Sequence, residues 1–258
     1  ERRMSEKTLK SLVESGFYDE FASPHVKDRK SFGAAVLNEL RNAKVNVDGP
    51  PSGIGSLVQS LFMIGLMPSK HAGLVWVVPY GGKPTVAVGY KGFLELGWRS
   101  GYLARVTPQV VLAGEECEWT DTEAGPVIRH KITSKRPDIT TEVIDFAYCS
   151  WTATNGTTNA VRSEGWFIRQ LHAKADSRSP WKSGASSMLG MILKTPVRVA
   201  AKFWNTSGST ELAAALAAED ESDEAERGAL EPHPGNGDAA RRAIEAAGIQ
   251  REPTNGEA

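Results

Sequence analysis

The chain has 258 residues, 40% hydrophobic and 24% charged, with a formal net charge of -1, enough for one large domain or two modest ones. No run of 18 apolar residues offers a membrane-spanning helix, and two cysteines, Cys117 and Cys149, are too few for a disulfide framework. Charge is split unevenly: up to residue 210 there are 26 basic and 19 acidic side chains, a net of +7, and beyond it 4 and 12, a net of -8. A basic body with an acidic tail suits a polyanion partner. The first ten residues are polar and charged and do not read as a secretory signal, so a cytoplasmic protein is expected.

In chain order, Leu9, Leu12, Val13 and Phe17 share one side of a helix predicted over 4–22, with Pro24 beyond its end. A second helix is predicted over 31–45 and a third over 54–66, separated by a Gly- and Pro-rich stretch. Two short β-rich runs, 74–78 and 85–88, flank a turn and read as a hairpin. A helix over 90–99 stops at Gly101. Strands are predicted over 103–112, 117–120, 127–132, 141–152 and 160–168, the last two joined at Asn155-Gly156. Helices return over 169–175 and 183–204. From 207 on, Ala, Glu, Asp, Gly and Pro dominate, with six acids in 219–226, which predicts a largely disordered acidic tail with a short helix at 238–247. Helices, an antiparallel meander and helices again define an α+β fold.

Covalent chemistry has little support. No phosphate-binding loop is present, since Trp98 stands where its lysine would be. The five histidines are scattered and none pairs at i, i+4. Glu115, Glu116, Glu118, Asp121 and Glu123 form the densest acidic cluster of the body. A metal-dependent nuclease would need such carboxylates to converge from several strands, whereas these five lie along one segment.

Basic side chains form clearer patterns. Lys194, Arg198 and Lys202 recur every four residues, a cationic row spaced about 6 Å apart, opposite a predicted core ridge of Ile192, Pro196, Val199 and Phe203. Residues 177–210, a run of 34, hold no acid. An ordinary solvated helix face mixes signs, so the row favours a polyanion. Lys91, Glu95 and Arg99 share a face of the 90–99 helix, where pairing with Glu95 is an equally good account. Arg129 and Lys131, with Lys135 and Arg136, make a basic hairpin. Trp76, Trp98 and Trp204 lie in apolar runs and are expected in the core. Trp181, beside Arg178 and Lys182, is the candidate for stacking on bases, with anchoring of its loop as the alternative.

Four segments in order carry a resemblance: 57–68 ending in Gly65-Leu66-x-Pro68; Val78-Pro79-Tyr80-Gly81; Gly89-Tyr90-Lys91-Gly92 with Arg99-Ser100-Gly101; and Ser179-Pro180-Trp181 followed by Lys194-Thr195 and Arg198. Over about residues 30–205 the chain resembles the RecT family of phage single-strand annealing proteins. The resemblance implies a twisted antiparallel sheet and hairpins packed with helices, a fold like that of RecT and Red beta. It implies binding of single-stranded DNA and annealing of complementary strands without ATP in phage recombination, as rings or filaments on DNA in the bacterial cytoplasm. It implies a 5′-to-3′ exonuclease and the host single-strand binding protein as partners. No cofactor is required, with magnesium a modulator at most. Lys91, Arg99, Lys194 and Arg198 carry over as DNA contacts; Arg129, Lys131, Trp181, Lys182, Thr195 and Lys202 join them from the residue patterns. Pro196 departs from the family pattern and is expected to kink its helix. The division expected is N-terminal helices for subunit contacts over 1–50, a DNA-binding core over 51–206 and the tail over 207–258. An acidic tail would mimic DNA and cover the groove. A metal-dependent nuclease and a phage scaffolding oligomer are the rival readings.

Overall fold

The computed structural model describes residues 6–45, 51–69, 71–80, 83–133, 138–177, 179–204 and 208–230. Helices α1 (Glu6–Glu14), α2 (Arg29–Asn42) and α3 (Pro51–Ile64) precede a hairpin of β1 (Val75–Tyr80) and β2 (Lys83–Val88). Helix α4 (Tyr90–Arg99) leads into β3 (Leu103–Leu112), a second hairpin of β4 (Glu116–Thr120) and β5 (Val127–Lys131), then β6 (Ile144–Ala153) and β7 (Thr158–Glu164). Helices α5 (Gly165–Lys174), α6 (Ala185–Trp204) and α7 (Thr210–Leu230) complete the fold. This is the expected α+β architecture of antiparallel sheets packed with helices.

Local chemistry sets the element ends. The helix predicted over 4–22 stops at Glu14 because Gly16, at φ +78°, donates to the Val13 carbonyl while Phe17 donates to that of Leu12. That pair of bonds closes a helix with glycine in the left-handed conformation, and it leaves Phe17 53% exposed rather than on a buried face. Asp28 caps α2 by accepting from the Ser31 N–H at 3.0 Å. The strand predicted to reach residue 168 ends at Glu164, because a Cβ at Gly165 would lie 2.2 Å from the Ile144 carbonyl oxygen. Only glycine lets the chain turn there from β7 into α5.

Strands β3, β6 and β7 form an antiparallel sheet in that order, with Val110 opposite Ala147 and Cys149 opposite Val161. Alternation sends the two faces to different cores. Val110, Leu112 and Ala147 pack with Ile192 of α6 and with Trp181, whereas Val111, Phe146 and Tyr148 pack against Cys117, Trp119 and Ile128 of the β4–β5 hairpin. The largest core joins α1–α4, the β1–β2 hairpin, the C-terminal half of α6 and α7. Burial raises the Cys149 thiol to about 12, so it is an inert core residue.

The two-stranded β1–β2 sheet has outward N–H groups along both edges that need partners. Glu39 of α2, 7% exposed, accepts from the Val77 N–H at 3.3 Å on one edge. Glu219 of α7, 1% exposed, accepts from the Val88 N–H on the other. Residues 210–230 are therefore a packed helix and not disordered chain: Leu212 and Ala215 are 0% exposed and Ala218 is 6% exposed. Alanine, short as it is, seats α7 close against its neighbours. The helix expected at 238–247 lies outside the described residues, as do Lys135, Arg136 and Arg178.

Candidate nucleic-acid interface

Helix α6 runs on through Pro196. Its buried face holds Ile192, Pro196, Val197, Ala200, Ala201 and Trp204, while Val199 and Phe203 are 44% and 48% exposed. The expected ridge is thus half right. Two apolar stripes compete on this helix, and the one with alanines wins at its C-terminal end. Gly97 of α4 meets Trp204 there, with no room for even a methyl group between them: a Cβ at Gly97 would lie 2.8 Å from the indole.

The cationic row is largely answered from within the chain. Lys194 Nζ lies 2.6 Å from the Glu219 carboxylate, with side chains 14% and 2% exposed. Arg198 donates to Asp220 at 2.6 Å and to Asp223. Burial works against the Arg198 charge, but Asp223, Asp220 and Glu219 outweigh it and hold the guanidinium more firmly protonated than usual. The acids missing from residues 177–210 are supplied by the next helix. Thr195 donates its hydroxyl to the Met191 carbonyl at 3.1 Å, a bond internal to α6. Lys202 is exposed and has no ion-pair partner among the described residues.

Helix α4 packs against α6 through Tyr90, near Gly190, and through Gly97. Arg99 is a structural clamp as well as a cation: it bonds Glu95 at 2.8 Å and the Gly65 carbonyl at 3.0 Å. Lys91 is exposed and unanswered among the described residues. Trp98, expected in the core, is 48% exposed. Seven residues are almost two whole helical turns, so Lys91 and Trp98 point the same way, about 10 Å apart along the axis. That spacing was the signal to read; the apolar neighbours of Trp98 masked it.

Arg129 and Lys131 stand apart from these groups. They face outward on the β4–β5 hairpin, 3.9 Å from Glu118 and 3.4 Å from Glu116, and the hairpin packs on the sheet face opposite α6. The acidic cluster divides as well. Glu116 and Glu118 face those cations, but Glu115 turns inward, accepting from the Leu112 N–H at 2.8 Å and the Thr133 hydroxyl at 2.9 Å, with His130 at 3.4 Å. These carboxylates do not converge.

Trp181 is 7% exposed, in the core with Ile192 and Ala147, and lies edge-on to His172. It anchors its turn and is not a stacking platform. Ser179 caps that turn by accepting from the Trp181 N–H at 3.4 Å, while Lys182 stays exposed with Nζ 3.2 Å from His172 Nε2. We expect Trp181→Ala to cost about 3 kcal/mol in urea unfolding. Trp166, at 62%, and Phe167, at 36%, form an exposed aromatic pair at the start of α5. The strand expected to reach residue 168 concealed them.

Helices α4 and α6 of this α+β domain present exposed lysines and an indole, the side-chain types that hold a strand by its backbone and its base faces. Residues 52–232 match the model of the RecT family, so the chain belongs to that family. RecT proteins are phage single-strand annealing proteins of DNA recombination rather than classical enzymes. The match runs on through α7, past residue 205 where the resemblance read from sequence stops. A relative, the uncharacterized protein YqaK of Bacillus subtilis (strain 168), is 27% identical over 223 residues, covering 84% of this chain and 74% of YqaK. No helix among the described residues is long and apolar enough to cross a membrane.

Proposed function

We propose that this protein anneals complementary DNA strands without ATP, as an oligomer on the strand, in phage recombination. The observation that carries the reading is the family match over residues 52–232, which spans every cation discussed above. Two strands repel through their phosphates, and a protein that neutralises those phosphates raises the local strand concentration. Watson–Crick edges must stay free, so contacts belong on the backbone and on base faces. Lys91 of α4, Lys202 of α6 and Lys182 in the turn before α6 are exposed cations with no carboxylate partner among the described residues, and Trp98 supplies a base platform on the same face as Lys91. Arg198 and Arg99, already paired, are secondary, and Lys194 is taken up by the buried Glu219 carboxylate. A few nucleotides per subunit give little affinity, which is why assembly along the strand is part of the reading. A 5′-to-3′ exonuclease that exposes single strands and the host single-strand binding protein are the partners this activity calls for, and magnesium is at most a modulator.

The test follows pairing of two labelled complementary oligonucleotides coated with single-strand binding protein, without ATP. The parent protein accelerates pairing. Lys91→Ala and Lys202→Ala each lower the log–log salt slope of strand binding by about 0.7. Trp98→Ala costs about 1–3 kcal/mol of binding with the slope unchanged. Pairing at the spontaneous rate with the parent protein would refute the reading.

A further inference from the structure

A buried carboxylate that is not answered destabilises a fold. Glu219 is answered twice: one oxygen accepts from the Val88 N–H and the other lies 2.6 Å from Lys194 Nζ. Three elements meet at this one group, namely α7, the last residue of β2, and α6. Gly89, the next residue, caps α4, which carries Lys91 and Trp98; α6 carries Lys202 eight residues beyond Lys194. One turn further along α7, buried Ser222 lies 3.5 Å from the Thr85 hydroxyl of β2, so the contact is a seam. The rim is different: Asp220 and Asp223, on Arg198, are 60% and 44% exposed and are screened by water and salt.

We propose that Glu219 is a positioning residue for DNA binding: through Lys194 and the Val88 N–H it fixes α4 against α6, and with them the lysines and the indole that meet the strand. The proposal rests on strand binding by those two helices. It assigns Lys194 to an internal carboxylate instead of a phosphate. It also makes α7 a permanent part of the domain, because Leu212 and Ala215, both 0% exposed, are buried with Glu219.

Glu219→Gln keeps an acceptor for the Val88 N–H and removes the charge; Lys194→Gln removes the other partner; the double variant sets two amides face to face. Binding of a fluorescein-labelled oligothymidylate is measured across salt concentrations at a temperature where circular dichroism shows each variant fully folded. Both single variants should bind severalfold more weakly at every salt concentration, with the parental slope. A role confined to stability would leave affinity unchanged in folded protein, and that result overturns the proposal. The double variant should recover toward the parent in melting temperature and in affinity. A slope lower by about 0.7 in Lys194→Gln and in the double variant would put Lys194 on a phosphate and overturn it. Tighter binding by Glu219→Gln would make α7 a removable cover and overturn it too. Should Glu219→Gln fail to fold, Lys194→Gln and the double variant carry the same comparison. A parent protein that binds no oligothymidylate defeats the DNA reading itself and the positioning role with it, while recovery of the double variant's melting temperature still reports the Glu219–Lys194 link.

Discussion

Replacing Gly92 by alanine should destabilise the protein by about 3 kcal/mol, seen as a lower urea midpoint at constant slope. A methyl group there would sit 2.3 Å from the Leu74 carbonyl oxygen, 3.0 Å from Val88 and 3.1 Å from Leu66. Two effects oppose each other. Alanine gains about 1 kcal/mol over glycine inside a helix, but a backbone oxygen at that distance cannot swing aside as a side chain would, so α4 must move off the β1–β2 hairpin. Gly89, whose Cβ would lie 2.1 Å from the Gly73 carbonyl oxygen, is under the same constraint. The two glycines of the Gly89-Tyr90-Lys91-Gly92 segment are thus packing residues that let the start of α4 lie against the 73–74 backbone leading into β1, and they present Lys91 outward by doing so. Gly190 of α6 is the control: its nearest neighbour would be Tyr90 at 4.0 Å, an ordinary contact. Gly190→Ala should be neutral or stabilising by up to about 1 kcal/mol. Equal losses at both sites would mean that the close approach of α4 to Leu74 does not decide the outcome.

Elements coded by local period were legible in the sequence. The β1–β2 hairpin, α4, β3 and the turn at Asn155-Gly156 stand where alternation, helical spacing and turn chemistry put them, with Gly156 at φ +87°. Elements whose identity depends on distant partners were not legible. Helix α7 reads as a solvated acidic run because its buried positions after Ala218 are Glu219 and Ser222, and only β2 and Lys194 make those residues fit for a core. The same gap distorted the site. Lys194 and Arg198 read as free cations because their carboxylates lie 22 to 25 residues downstream, in a segment set aside as tail. Trp181 and Trp98 exchanged roles for a related reason: a polar loop can bury its tryptophan under a helix, and an apolar run can leave one on the outer face.

Deleting everything after Ser209 should leave no cooperatively folded protein, whereas deleting everything after Leu230 should leave melting and strand binding unchanged. Loss of α7 uncovers the pocket of Leu212, a change of about 2–5 kcal/mol for a buried leucine. It strands Lys194 without its carboxylate, about 3–5 kcal/mol for a broken buried pair. It also leaves the buried Val88 N–H without an acceptor, about 1–3 kcal/mol. These losses share a site and do not simply add, but even half their sum rivals the whole stability of a typical domain, about 5–15 kcal/mol. A tail that merely mimicked DNA would behave in the opposite way: its removal would leave a folded body that binds single strands more tightly at low salt, with Lys194 and Arg198 freed for phosphates. The two outcomes separate in one experiment, circular dichroism melting of the truncated chain followed by oligonucleotide binding at low salt. The burial of Leu212, Ala215 and Glu219 against α3, β2 and α6 predicts the first. A sharp melt with tightened binding would require that those contacts contribute almost nothing.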